Sequence, residues 1–216
     1  MVGRSKKNTF HDLKDKLGKK LLGWKEKLLL NAGKEILIKA VGQAIPSYTI
    51  SCFKRPASLC DELAGMVLKF WWGQNNGVDK MAWLSWEKMC TPKETGGLGI
   101  RDLKAFNLAV LAKQGWRLQT CTNSLFYRVF QAKYFPNGDF LLATLGTKPS
   151  YAWRSIFAAQ QIVRKGSNWR IGNGAKVQIW GDRWLPLSST YKVVAPCTNI
   201  GTELPMATLI DYQRGE

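Results

Sequence analysis

The chain has 216 residues, 45% of them hydrophobic, with 32 Lys and Arg against 15 acidic residues and a formal net charge of +17. A hydrophobic share of that size supports one or two packed domains and argues against general disorder, while the charge favours a polyanion, nucleic acid ahead of an anionic membrane surface. No apolar run approaches the roughly 20 residues that cross a bilayer, and five cysteines without a Cys-x-x-Cys pair disfavour disulfide scaffolds and zinc knuckles.

The elements follow in order. Phe10, Leu13, Leu17, Leu21, Trp24 and Leu28 recur at steps of three or four over residues 9–28, one apolar helical face. Gly18 and Gly23 weaken that helix and predict a break near Gly23. Asn31 reads as the N-cap of a second helix carrying Ile36, Ile38, Ala40 and Val41, ended by Pro46. Residues 56–72 form a third helix, with Pro56 at its start and Asp61 and Glu62 in its first turns, where acids suit the helix dipole. Residues 73–79 are a polar loop. Gly96-Gly97-Leu98-Gly99 punctuates the chain before Asp102, which caps a helix with Leu103, Phe106, Leu108, Val110, Leu111, Gln114 and Leu118. Ser124 begins a helix over 125–135, stopped by Pro136-Asn137-Gly138, and Ser150 caps another over 151–163. The period then changes. Residues 169–171 and 176–180 alternate around Gly172-Asn173-Gly174, which predicts a β-hairpin near 168–181.

Charge is unevenly placed. Residues 1–55 hold 13 basic and 4 acidic residues, a net of +9, and residues 56–216 hold 19 and 11, a net of +8 over three times the length. The candidate binding residues are therefore Lys14, Lys16, Lys19, Lys20, Lys25, Lys27, Lys34 and Lys39. Lysine outweighs arginine there, which favours point-charge contact with phosphates over base reading, and makes such contact sequence-independent and salt-sensitive. Trp24 could stack on a base, but its place on the apolar stripe favours packing.

Catalytic chemistry finds no support in the residues. Nucleotidyl transfer and nuclease chemistry need clustered carboxylates to hold two metals, and the acids here are dispersed. The adjacent pair Asp61-Glu62 reads as capping, and Asp182 as a salt-bridge or turn-capping residue. His11 is the sole histidine and reads as a solvated surface residue. No phosphate loop or dinucleotide fingerprint occurs. No catalytic, metal or cofactor-binding residue is assigned.

Several segments together carry a resemblance. They include Gly23-Trp24-Lys25-Glu26-Lys27-Leu28, Ala32-Gly33-Lys34-Glu35-Ile36-Leu37-Ile38-Lys39-Ala40-Val41, Lys69-Phe70-Trp71-Trp72-Gly73 and Gly96-Gly97-Leu98-Gly99-Ile100-Arg101-Asp102-Leu103. Pro149-Ser150-Tyr151-Ala152-Trp153-Arg154-Ser155-Ile156, Trp169-Arg170-Ile171-Gly172-Asn173-Gly174 and Trp180-Gly181-Asp182-Arg183-Trp184-Leu185-Pro186 complete the set. From about residue 2 to 186 the chain resembles the stretch downstream of the polymerase palm in plant LINE-type (non-LTR) retrotransposon reverse transcriptases. Part of it also resembles an uncharacterised plant mitochondrial open reading frame.

The resemblance implies a mainly α fold: a thumb-like basic helical segment over 1–74, a Trp-rich connector with helices and the hairpin over 75–186, and a linker over 187–216 leading towards a zinc-binding module. It implies basic helices that grip RNA or DNA without sequence preference, as a non-catalytic fragment of an RNA-directed DNA polymerase polyprotein. The palm aspartate pair and the RNase H carboxylates have no counterpart here. Two alternatives stand beside this reading. One is an accessory part of a reverse transcriptase, active only with a palm from another chain. The other is a protein-interaction module using the amphipathic helix 9–28. The expected compartment is intracellular, nucleus or cytoplasm ahead of mitochondrion, because Asp12 and Asp15 break the acid-poor pattern of a transit peptide.

Overall fold

A computed structural model of the chain describes residues 6–25, 29–45, 47–75, 78–79, 81–136, 138–186, 190–193 and 204–210. The chain divides into two compact units, residues 1–163 and 164–216. The fold is mainly helical, as the sequence predicts. The elements are α1 (Lys6–Lys25), α2 (Asn31–Leu37), α3 (Ser47–Cys52), α4 (Ala57–Trp72), β1 (Gln74–Asn75), β2 (Val78–Asp79), α5 (Trp86–Cys90), α6 (Leu103–Thr120), α7 (Leu125–Tyr134), α8 (Tyr151–Phe157) and α9 (Gln160–Gly166).

The first unit holds two cores. In one, Leu13, Leu17 and Leu21 of α1 are buried with Leu59, Leu63, Val67 and Phe70 of α4. The i, i+4 spacing on both helices brings these side chains onto facing stripes. Trp24 is half-buried on the same stripe, its ring 5.7 Å from that of Phe70. The helix runs through Gly23 to Lys25, two residues beyond the expected break. Phe10 and Leu28 of the stripe carry no described side chain.

Two start signals behave differently from expectation. Asn31 is the first residue of α2, and Leu30, with extended backbone, occupies the cap position without a side-chain bond. After Leu37 the helix widens into a π-turn, Ile38–Gly42, in which Gln43 donates its N–H to the Ile38 carbonyl at 2.9 Å. That turn buries Ile38 fully, while Ile36 stays exposed. Pro46, expected to end the helix, lies outside the described residues. In α4 Pro56 takes the N-cap position, but the first turn carries no acid. Asp61 and Glu62 lie one turn further in and reach outwards to lysines on other helices.

Between α5 and α6 the glycine run folds back on itself. A Cβ on Gly97 would lie 2.1 Å from the Thr91 carbonyl oxygen, so only glycine permits the approach. The loop returns two backbone bonds to Met89, from Leu98 and Ile100, and both Met89 and Ile100 are buried. A short hairpin forms earlier, where Gln74 pairs with Asp79 and Asn75 with Val78, in the stretch read as a polar loop.

The second core gathers around Trp153, which has no exposed surface. Its ring lies parallel to that of Tyr134 at 4.6 Å and edge-on to Phe140 at 6.0 Å, and its Nε1 donates to the Leu145 carbonyl at 3.2 Å. Three predicted caps form. Asp102 accepts from the N–H groups of Lys104 and Ala105, Ser124 from that of Tyr127, and Ser150 from that of Trp153. The helix expected over 151–163 is broken at residues 158–159. The break carries Gln160 inwards, where its Nε2 donates to the carbonyls of Phe140 and Ala143 at 2.7 and 2.9 Å.

The second unit is small, with Val177, Ile179 and Met206 buried among Ile171, Trp180, Trp184, Leu204 and Ile210. The hairpin expected near 168–181 does not form. Residues 177–179 do present alternate side chains inwards, but their partner is the later segment 204–206. Ile179 donates its N–H to Leu204 at 3.1 Å and Met206 donates to Val177 at 2.7 Å, around the single bridge Gln178–Pro205. Trp169 instead donates its N–H to Arg183 at 2.7 Å. Asp182 caps a turn by accepting the Gln178 N–H at 2.8 Å.

Candidate nucleic-acid interface

The lysines singled out by the sequence separate into distinct groups. Three of them are fastened within the first unit. Lys14 Nζ lies 2.8 Å from Glu62 Oε2, joining α1 to α4. Lys34 Nζ donates to the Trp71 carbonyl at 3.1 Å, one of the last carbonyls of α4. Those carbonyls lack helical partners and carry the negative end of the dipole, so a lysine there acts as a C-terminal cap. Lys39 Nζ lies 2.8 Å from Glu35 Oε1, one turn earlier on the same helix.

Glu35 has a second partner that the sequence did not announce. Lys93, from the turn after α5, reaches the same oxygen at 2.7 Å. The hydrogen bonds from Lys39 and then Lys93 hold the Glu35 carboxyl below its ordinary value of 4.5, against a smaller opposing effect of burial.

Lys16, Lys19 and Lys20 stand apart. They lie three and four residues apart on α1, which places them on one flank, and all three are exposed. None makes an ion pair among the described residues. Together with Ile45 they line an open cleft of about 460 Å³. Of the nearby acids, Asp15 is engaged by His11 Nδ1 at 3.0 Å, and Asp12 is exposed one turn before Lys16. Lys25 is the last residue of α1, and Lys27 lies outside the described residues.

The adjacent acids Asp61 and Glu62 do not converge. Asp61 Oδ1 is 2.7 Å from Lys104 Nζ, and Glu62 is held by Lys14. Adjacent helical positions differ by about 100° in direction, so the two carboxylates reach opposite neighbours. Among the described residues no group of three or more His, Cys, Asp and Glu converges. Burial pushes the Cys90 thiol up to about 11 and raises that of Cys60, which disfavours the thiolate at both. Among the described residues no helix is long and apolar enough to cross a membrane.

Two curated proteins of Arabidopsis thaliana resemble the chain. One is described as an uncharacterised mitochondrial protein. It is 40% identical over 143 residues, a match covering 66% of this chain and 93% of that protein. The chain belongs to the family of this uncharacterised mitochondrial protein. The other, titled "Putative ribonuclease H protein", is 35% identical over 185 residues, which cover 84% of this chain. The match spans only 30% of that longer relative. No family model and no solved structure matches the chain.

Proposed function

We propose that the chain is a non-catalytic segment of a retrotransposon-derived reverse transcriptase polyprotein that holds RNA or DNA by its backbone. The observation that carries this is the flank Lys16-Lys19-Lys20, three exposed ammonium groups without an ion pair among the described residues. Lys14, Lys34 and Lys39 are already engaged and contribute to the fold instead. The two relatives support the setting. One is named for a ribonuclease H and is much longer than this chain, as a polyprotein containing this segment would be. The sequence pattern is similar to the region downstream of the palm in LINE-type elements, where a thumb would contact primer and template.

Backbone contact of this kind displaces counterions, so affinity falls steeply with salt. Three phosphate contacts correspond to a slope of about −2.7 in log K against log salt on a duplex, at about 0.9 per contact. The test is fluorescence anisotropy with single- and double-stranded oligonucleotides of unrelated sequence across a salt series. Binding of all sequences with a slope near that value supports the reading. Absence of binding at low salt overturns it.

A further inference from the structure

A second surface of the first unit has the makings of a contact for unpaired bases. Helix α6 runs for 18 residues without an acidic side chain. Its inner face, with Leu103, Asn107, Leu111, Gly115 and Leu118, is buried. On its outer face Trp116 is 47% exposed, and unlike Trp83 and Trp169, which are also exposed, it stands on a long helix beside cations of its own helix. Lys113, three residues before it, is its neighbour on the helix surface, and Arg117 lies one turn after Lys113 on the same side of the ring, both exposed. The Arg117 guanidinium is already oriented, with Nη1 donating to Gln114 Oε1 at 3.1 Å and its plane 5.3 Å from the Phe126 ring.

Three acids with bonds to α6 are engaged. Asp61 is paired with Lys104, Asp102 accepts the first backbone N–H groups of α6, and Asp139 accepts from Gln119 Nε2 at 3.0 Å and from the Leu141 N–H. Asp61 is neutralised by Lys104, whereas Asp102 and Asp139 accept from neutral donors and keep their charge, so the cations nearest Trp116 in sequence are Lys113 and Arg117 of its own helix. A duplex hides its base faces and offers only phosphates, whereas a single strand offers both.

We infer that Trp116, with Lys113 and Arg117, is a stacking platform for single-stranded nucleic acid, distinct from the lysine flank of α1. The inference rests on the proposed nucleic-acid role but adds a preference that the lysines alone do not create. It is tested with the full chain, using labelled single-stranded oligo(dT) and a duplex of equal length. Trp116→Ala should weaken single-strand binding about 5- to 100-fold, the worth of one stacked base, and change duplex binding less than about twofold. Trp116→Phe should restore most of the loss.

Thermal unfolding checks that both variants fold. Should Trp116→Ala prove unstable, Trp116→Gln and Trp116→Leu, which keep a longer side chain but no ring, supply the same comparison, with single-strand binding again falling further than duplex binding. Unchanged single-strand binding in folded Trp116→Ala overturns the platform, even when Lys16→Ala and Lys19→Ala still weaken binding and so preserve the backbone reading. Equal losses on single strand and duplex also overturn it. Loss of polyglutamate binding without any effect on oligonucleotides assigns the surface to acidic protein and overturns it as well.

Discussion

Asn107 Oδ1 accepts the backbone N–H of Arg55 at 2.9 Å, and its Nδ2 donates to the carbonyls of Ile50 and Phe53 at 2.8 and 2.9 Å. One buried amide on α6 thus ties down the chain leaving α3. Asn107→Ala removes three buried hydrogen bonds, each with a net worth of about 1 kcal/mol. Urea unfolding should show a loss of about 3 kcal/mol. Asn107→Leu should be no better, because restoring apolar volume does not restore the bonds.

Two helical glycines should respond to alanine with opposite sign. Gly65 of α4 has open space where a Cβ would stand, so Gly65→Ala should gain about 1 kcal/mol from helix propensity. On α6 a Cβ at Gly115 would lie 2.7 Å from Phe140 Cε1, in a ring that is fully buried. Overpacking costs about 1–3 kcal/mol and outweighs the propensity gain, so Gly115→Ala should destabilise. Thermal melts of the two variants give the comparison directly.

Glu35 should make stability pH-dependent at the acid end. Its folded pKa lies below the ordinary 4.5, held there by Lys39 and Lys93. The stabilisation is therefore complete above that ordinary value and is lost as pH falls through the lower folded one. Glu35→Gln should lose roughly 0.5–1 kcal/mol near neutrality and less below pH 4.5, where wild type and variant converge. Urea titrations across that range measure the convergence.

The lysines should divide by readout. Lys16→Ala, Lys19→Ala and Lys20→Ala should each leave stability unchanged and reduce the salt slope of binding by about 1. Lys14→Ala should cost about 0.2–1 kcal/mol of stability through its lost pair with Glu62, with no change in slope. Anisotropy and melting temperature, measured on the same four variants, separate the two groups.

Local signals were legible, and distant partners were not. The stripe Leu13-Leu17-Leu21 and the caps Asp102, Ser124 and Ser150 follow from spacing and residue chemistry within one or two turns, and the structure carries them out. Asn107 has no such signature. An asparagine amid apolar residues looks like any other, and its partners lie more than 50 residues away. The same holds for the lysines. Lys14 meets a glutamate 48 residues on and Lys34 a carbonyl 37 residues on, so charge counting alone could not tell a fastened lysine from an open one. Alternation at Val177 and Ile179 marked the two buried positions correctly but predicted a strand and a partner that do not form, because period two reports burial on one face and says nothing about the neighbour.

The divergence of Asp61 and Glu62 has an electrostatic consequence for any approaching polyanion. Lys14 with Glu62 and Lys104 with Asp61 are each neutral pairs, so these positions add little to the attraction a polyanion would feel, and a phosphate competing for either lysine would do so beside a carboxylate of α4. The two acids of α4 thereby leave Lys16, Lys19 and Lys20 as the exposed charge of α1 without an ion pair among the described residues.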